Sequence, residues 1–291
     1  MIRPTFVISL ALLSTLLIPA MGQCSDYGLG RIILPEYMEA ITSMQVLVDS
    51  LKSSSSSSRL YAVKRMTQLR NPEAIPFLVE AIGNEPPRGG IDSPQGLRYY
   101  SVIAIGQIGG PDAESYILGL AEALHKGDSI PGIPPGLDYM YTVYGTHRGL
   151  AELGSAKCME FLFRIYSDPN VGGQYRSSAY ASYKRVVLKE ARFATPKDSL
   201  YYIVDELRNA KVTANYVSPG IMSDEFIRSN GLQELIVEYG QDYPEILEKY
   251  SSTIPSDDNF LAELDTLIQT VKERIKREGK RREFIEKGWL E

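Results

Sequence analysis

Arg59-Leu-Tyr-Ala-Val-Lys-Arg-Met-Thr-Gln-Leu-Arg-Asn-Pro-Glu-Ala-Ile-Pro-Phe-Leu78 is the stretch that decides the fold. Leu60, Val63, Met66 and Leu69 recur at helical spacing and predict a first helix that stops at Arg70-Asn71. Asn71 is placed to cap a second helix opened by Pro72, where a missing N–H costs nothing. Ile75, Leu78, Val79 and Ile82 then fall at i, i+3, i+4 and i+7, the spacing of one buried face. Pro76 lies near the first turn, where it can shift the helix start without preventing the helix.

The same pattern returns 39 residues later and again after a further 45. Met66 becomes Ile105 and Leu150, and Leu69 becomes Ile108 and Leu153. In the second helix a small residue is Ala74, Ala113 and Cys158, an aromatic is Phe77, Tyr116 and Phe161, and an aliphatic is Leu78, Ile117 and Leu162. A fourth place is Ala81, Leu120 and Ile165. A weaker fourth copy runs from Ser178 into a helix opened by Thr195-Pro196; Ser199, Tyr202 and Ile203 keep the first three columns, and Glu206 breaks the last. A two-helix unit of this length cannot bury both apolar faces alone and must stack on its neighbours. The expected fold class is all-α, an α-solenoid with extra N- and C-terminal helices.

Residues 59–78, together with Ala104-Ile-Gly-Gln-Ile-Gly-Gly-Pro-Asp-Ala113, resemble the HEAT-like repeats first noted in phycobilisome lyase subunits, within the armadillo/HEAT class. The resemblance covers roughly residues 59 to 210. It implies a superhelix of helical hairpins and says little about activity, since such repeats serve scaffolds, adaptors and some enzymes. HEAT-repeat hydroxylases hold iron through repeated His-Glu pairs, which this chain lacks.

Outside the repeats, Pro35 to Lys52 carries a helical pattern through Met38, Ile41, Val46, Leu47 and Leu51. Ser53 to Ser58 has no apolar face and is expected to be a flexible linker. After a loop from Lys211 to Ser223, helices are predicted from Ser223 or Asp224, from Pro244 to Tyr250, and from a Ser256 cap onward. Leu261, Leu264, Ile268, Val271 and Ile275 form the seam of that last helix, which is expected to cap the final repeat. Its tail from Lys272 to Glu291 is basic by eight residues to five and contains Trp289, the single tryptophan. The domain organisation expected is therefore 1–22, 23–58, 59–210 and 211–291.

The first segment is an address. Arg3 precedes an apolar run from Phe6 to Ile18, too short for a ~30 Å hydrocarbon layer. Pro19 and Ala20-Met21-Gly22 then supply a break and small residues for a peptidase. A cleaved export signal is expected, with Gln23 as the new N-terminus and a periplasmic or extracellular destination. Lipidation at Cys24 is the less favoured alternative, because Gln23 stands where a small residue belongs. Cys24 and Cys158 could pair in an oxidising compartment, but Cys158 lies in an apolar helical stripe and is expected to be a buried thiol.

Among the 291 residues, 31 Lys and Arg against 36 Asp and Glu give a net charge of −5, which offers no basic footprint for a phosphate backbone. No metal-ligand spacing, nucleophile elbow or phosphate loop appears, so the expected cofactor and metal content is none. His147 aligns with Val63 and Val102 and is expected to be a partly buried packing residue, whereas His125 is expected to interact with carbonyls at a helix C-terminus. Two Pro/Gly-rich segments, Gly83 to Gly96 and His125 to Asp138, fall at equivalent points of the repeat and should project from one edge. Arg88, Asp92, Ile133, Leu137, Tyr139 and Tyr141 are the candidate partner-binding residues there, with Arg148 beside them. The expected function is an exported, non-catalytic protein-interaction scaffold with no membrane span. The alternative is an enzyme or small-molecule binder whose pocket is lined by Asp92, Asp128, His125 or Arg148.

Overall fold

The computed structural model describes residues 32, 34–84, 96–130, 133, 137–191, 196–209, 224–255 and 259–286. Every element among them is helical. The leader, Cys24, Arg88, Asp92, the 211–223 loop, Ser256 and Trp289 lie outside the described residues. No helix of the described residues is long and apolar enough to cross a membrane.

The first repeat folds as its residues dictate. Helix α3 (Ser56–Leu69) ends at Arg70, which takes the left-handed conformation (φ 48°, ψ 32°). The Asn71 side chain accepts from the Glu73 N–H at 3.0 Å, and Pro72–Ala74 forms a 3₁₀ turn before α4 (Ile75–Asn84). Pro76 therefore sits at the second position of α4, where no intrahelical N–H is needed. Then follow α5 (Leu97–Ile108), α6 (Pro111–Lys126), α7 (Leu137–Leu153), α8 (Ala156–Ser167), α9 (Gly173–Glu190) and α10 (Pro196–Asn209). The chain continues through α11 (Asp224–Gly240), α12 (Pro244–Ser251) and α13 (Asn259–Glu286).

The first helices of successive pairs pack in a row, α3 on α5, α5 on α7, α7 on α9 and α9 on α11. Each second helix lies against the next first helix: α4 on α5, α6 on α7, α8 on α9 and α10 on α11. Burial follows the sequence columns. Met66, Ile105 and Leu150 are fully buried; so are Ala74, Ala113 and Cys158, and Leu78, Ile117 and Leu162. Leu69, Ile108 and Leu153 are half-buried in all three copies. Helix α5 is buried at every residue from Leu97 to Gly106, as an element with neighbours on nearly all sides must be. It approaches α7 so closely that a Cβ on Gly106 would lie 2.4 Å from the Gly149 carbonyl oxygen, and one on Gly149 3.0 Å from that of Val102. Gly109 and Gly110, with φ of +79° and +93°, make the turn into α6.

Several expectations are corrected. The serine tract is folded: Ser55 caps α3 by accepting from the Ser58 N–H, Ser53 Oγ accepts from the Ser55 N–H, and Ser56 to Ser58 form the first turn. A row of hydroxyls lacks an apolar face, yet it supplies the acceptors a helix N-terminus needs. The Pro35–Lys52 pattern splits into α1 (Glu36–Glu39) and α2 (Met44–Leu51) because Ser43 is extended. Val46 then faces solvent while Leu47, Val48 and Leu51 are buried. In α10 the apolar face is Leu200, Ile203, Val204 and Leu207, and Tyr202 is 42% exposed rather than in a core column. The seam of α13 holds through Leu264, Ile268 and Val271; beyond it Arg274 is buried and Ile275 turns outward. Helix α13 packs on α11 and α12.

Candidate functional site

Of the expected binding residues, Ile133, Tyr139, Tyr141 and Arg148 spend contacts inside the fold. Ile133 is buried in the core cluster, and Tyr139 and Tyr141 pack half-buried against it. The Tyr139 hydroxyl donates to the Leu124 carbonyl, and Leu137 opens α7. Arg148 is half-buried and ion-paired: its Nε lies 3.1 Å from Glu152 and its Nη1 2.8 Å from Glu238. Those four residues therefore do not form one exposed surface.

The two histidines do come together. His125, in the last turn of α6, places Nε2 2.9 Å from Nε2 of His147 on α7. The rings are nearly parallel at 9° with centroids 5.1 Å apart, a separation that exceeds the nitrogen distance by about two ring radii. They therefore meet head to head in one N–H···N hydrogen bond rather than face to face. His147 Nδ1 is 3.2 Å from the Ser178 hydroxyl on α9. Phe161 and Tyr175 complete the surround of His125. Burial, then Arg164, push His125 down to about 4 against the opposing Glu122, while burial and His125 push His147 well below its ordinary value. His147 is fully buried rather than partly so, and His125 bonds a ring rather than carbonyls. Ser178 lies inside α9, whose N–H groups are committed to the helix. The chain Ser178–His147–His125 thus has a base beside a hydroxyl but no helix donor for an oxyanion.

A charged ladder crosses α7, α9 and α11. Glu152 binds Arg148 and, at 3.1 Å, Lys189; Glu238 accepts from Arg148 and, at 3.0 Å, Arg185 Nε; Glu234 lies 2.8 Å from Arg185 Nη2. In these pairs three carboxylates meet three cations. Burial would raise the Glu238 carboxyl, but Arg148 and Arg185 outweigh it and hold it at about 2. One core cluster extends from Ile32 to Ala179 and a second from Tyr180 to Val271. Tyr166 packs against both, and the ladder adds a polar tie between α7, α9 and α11 at the same place.

The exposed aromatic surface lies at the same junction. Phe163 on α8 is 50% exposed. Its repeat equivalents, Val79 and Leu118, are half-buried against the core. Around it stand Tyr166 at 5.4 Å and Tyr183 at 6.0 Å between centroids, with Tyr180 beneath Tyr166. Arg228 of α11 donates to the Tyr166 hydroxyl. Tyr202 lies beyond, with the Lys184 ammonium 5.1 Å from its ring centroid, and Glu206 receives both Lys184 and the Tyr180 hydroxyl. The residue that breaks the fourth apolar column is thus the one that α9 grips with polar groups. Rigid aromatic area rimmed by charge suits a protein contact. Alignment of Phe163 with Val79 and Leu118 was the available signal, although alignment alone says nothing of exposure. No family model matches the chain, and no curated protein matches it.

Proposed function

We propose that this chain is an exported α-solenoid of HEAT-like pairs that acts as a non-catalytic protein-interaction scaffold. The exposed Phe163, set among Tyr166, Tyr183 and Tyr202 at the junction of the two core clusters, carries the assignment of the docking face. The repeated burial columns and the row α3–α5–α7–α9–α11 support the solenoid, and the residues before Gln23 support export. The partner is a protein presenting an apolar or aromatic anchor to α8 and α9.

A photo-crosslinking amino acid placed at position 163 in the native host is expected to give one discrete adduct that Phe163→Glu protein fails to compete. The same group at the exposed Tyr37 position should not give it. Identical adducts at both positions, or none at 163, would remove the docking face. Intact mass of the mature protein tests export separately: a chain that keeps Met1 to Gly22 refutes it.

A further inference from the structure

A second feature of the described residues is a half-open cavity of about 220 Å³ between α2, α3 and α4, far in sequence from the aromatic face. Its origin lies in the repeat. The fourth column of the second helices holds Leu120 and Ile165, both buried, where the first copy holds only Ala81. Leucine would bring three more carbons than alanine at this place. The first pair also has no preceding repeat; α2 packs on α3 in its stead, and Val48 and Leu51 of α2 form one wall. Phe77 and Leu97 complete the apolar lining.

The polar part of the wall is unequal in charge. Lys52 and Arg59 contribute two cations, Glu80 one carboxylate, and Ser53 and Asn84 neutral groups. Arg59 is held in place: its Nη1 donates to the Ser53 carbonyl at 2.8 Å and to that of Ser54 at 3.0 Å. That leaves the rest of the guanidinium for an anion at the cavity wall, already oriented by the serine turn. Lys52 sits at the C-cap of α2, exposed and free to follow a ligand head group.

We propose that this cavity is a binding site for a small organic anion with an apolar body, of the kind represented by a medium-chain carboxylate. The carboxylate meets Arg59 and Lys52 at the rim, and the apolar body fills the space above Ala81 against Val48, Leu51, Phe77 and Leu97. A volume below the usual ~300–1,000 Å³ of ligand pockets restricts the occupant to a short chain or a single ring.

Calorimetric titration of the whole protein with octanoate, and with octylamine as the cation of the same body, tests the site. Octanoate is expected to bind at least about tenfold more tightly than octylamine. Ala81→Leu, which restores the column, is expected to raise the melting temperature of the free protein and weaken octanoate at least about tenfold. Lys52→Glu lies on the surface, keeps the fold, and is expected to remove the preference for the anion. Absence of octanoate binding, equal affinity for octylamine, or unchanged octanoate binding by Ala81→Leu would each overturn the proposal. If Ala81→Leu fails to fold, an unchanged anion preference in Lys52→Glu overturns it instead.

Discussion

Replacing Glu238 by glutamine removes the carboxylate shared by Arg148 and Arg185 while keeping the shape of the side chain. The wild-type carboxyl is held at about 2 against an ordinary 4.5. At ~1.36 kcal/mol per pH unit, that difference corresponds to about 3 kcal/mol of stability at neutral pH. The Glu238 side chain keeps 20% of its surface in solvent, so this figure is a ceiling. It matches the ~3–5 kcal/mol cost of breaking a buried ion pair from one side, and it is a large share of the ~5–15 kcal/mol that a domain has in total. Because the folded state holds the charged form, the stabilisation is complete above about pH 4.5. It is lost as pH falls toward 2, where the wild-type carboxyl is itself neutralised. Urea unfolding followed by far-ultraviolet circular dichroism should therefore show Glu238→Gln destabilised by about 3 kcal/mol at pH 7, with the gap shrinking to roughly 1.4 kcal/mol at pH 3. Comparing the two proteins cancels the other carboxylates that titrate in the same range. A gap that stays constant with pH, or one under about 0.5 kcal/mol at pH 7, would refute the ladder as the tie between the two clusters.

Ala113→Glu places a charge in a fully buried column and should abolish cooperative unfolding, whereas Glu114→Ala loses only a 3.6 Å pair with an exposed lysine and should stay within about 0.5 kcal/mol by thermal melt. Gly106→Ala drives a methyl into the Gly149 backbone and should cost at least ~1–3 kcal/mol in denaturant titration; a neutral result would contradict the α5–α7 contact. His125 is held neutral down to about 4, so the fold should lose stability as pH falls from 6.5 toward that value. His125→Gln should show a shallower loss, the remainder coming from buried His147, and identical pH profiles for variant and wild type would show His125 to be energetically idle.

The sequence made the region from α3 to α8 legible because one physical requirement repeats there. Ala74, Ala113 and Cys158 are small where helices approach, and Met66, Ile105 and Leu150 are apolar where no water enters. Periodicity detects such positions directly. The imidazole pair escaped because each ring, taken locally, already had a sufficient role, and their meeting depends on how α6 crosses α7. Ile133 and Tyr139 misled in the opposite direction. They sit in or beside a Pro/Gly-rich connection, where composition suggests exposure, yet Ile133 packs into the core and the Tyr139 hydroxyl binds the end of α6. Cavities are legible only by contrast between copies, as Ala81 against Leu120 and Ile165 shows.

The decay of the repeat after α8 has a physical cause of its own. Up to that point each second helix offers an aliphatic residue in the fourth column; in α10 the place is taken by Glu206, and α9 answers with Lys184 and Tyr180. On the row of first helices, Arg148, Arg185 and Glu238 likewise join elements with charge-assisted hydrogen bonds. Apolar contact is tolerant of small slides between helices, whereas a closed set of ion pairs is satisfied in one arrangement only. Breaking it from one side leaves an uncompensated buried charge. A junction built this way adds a fixed orientation to the apolar contact that α9 and α11 share through Tyr180, Ala181, Leu188, Leu232 and Leu235. Beside it Phe163 stands exposed, whereas its column equivalents Val79 and Leu118 are half-buried against the core.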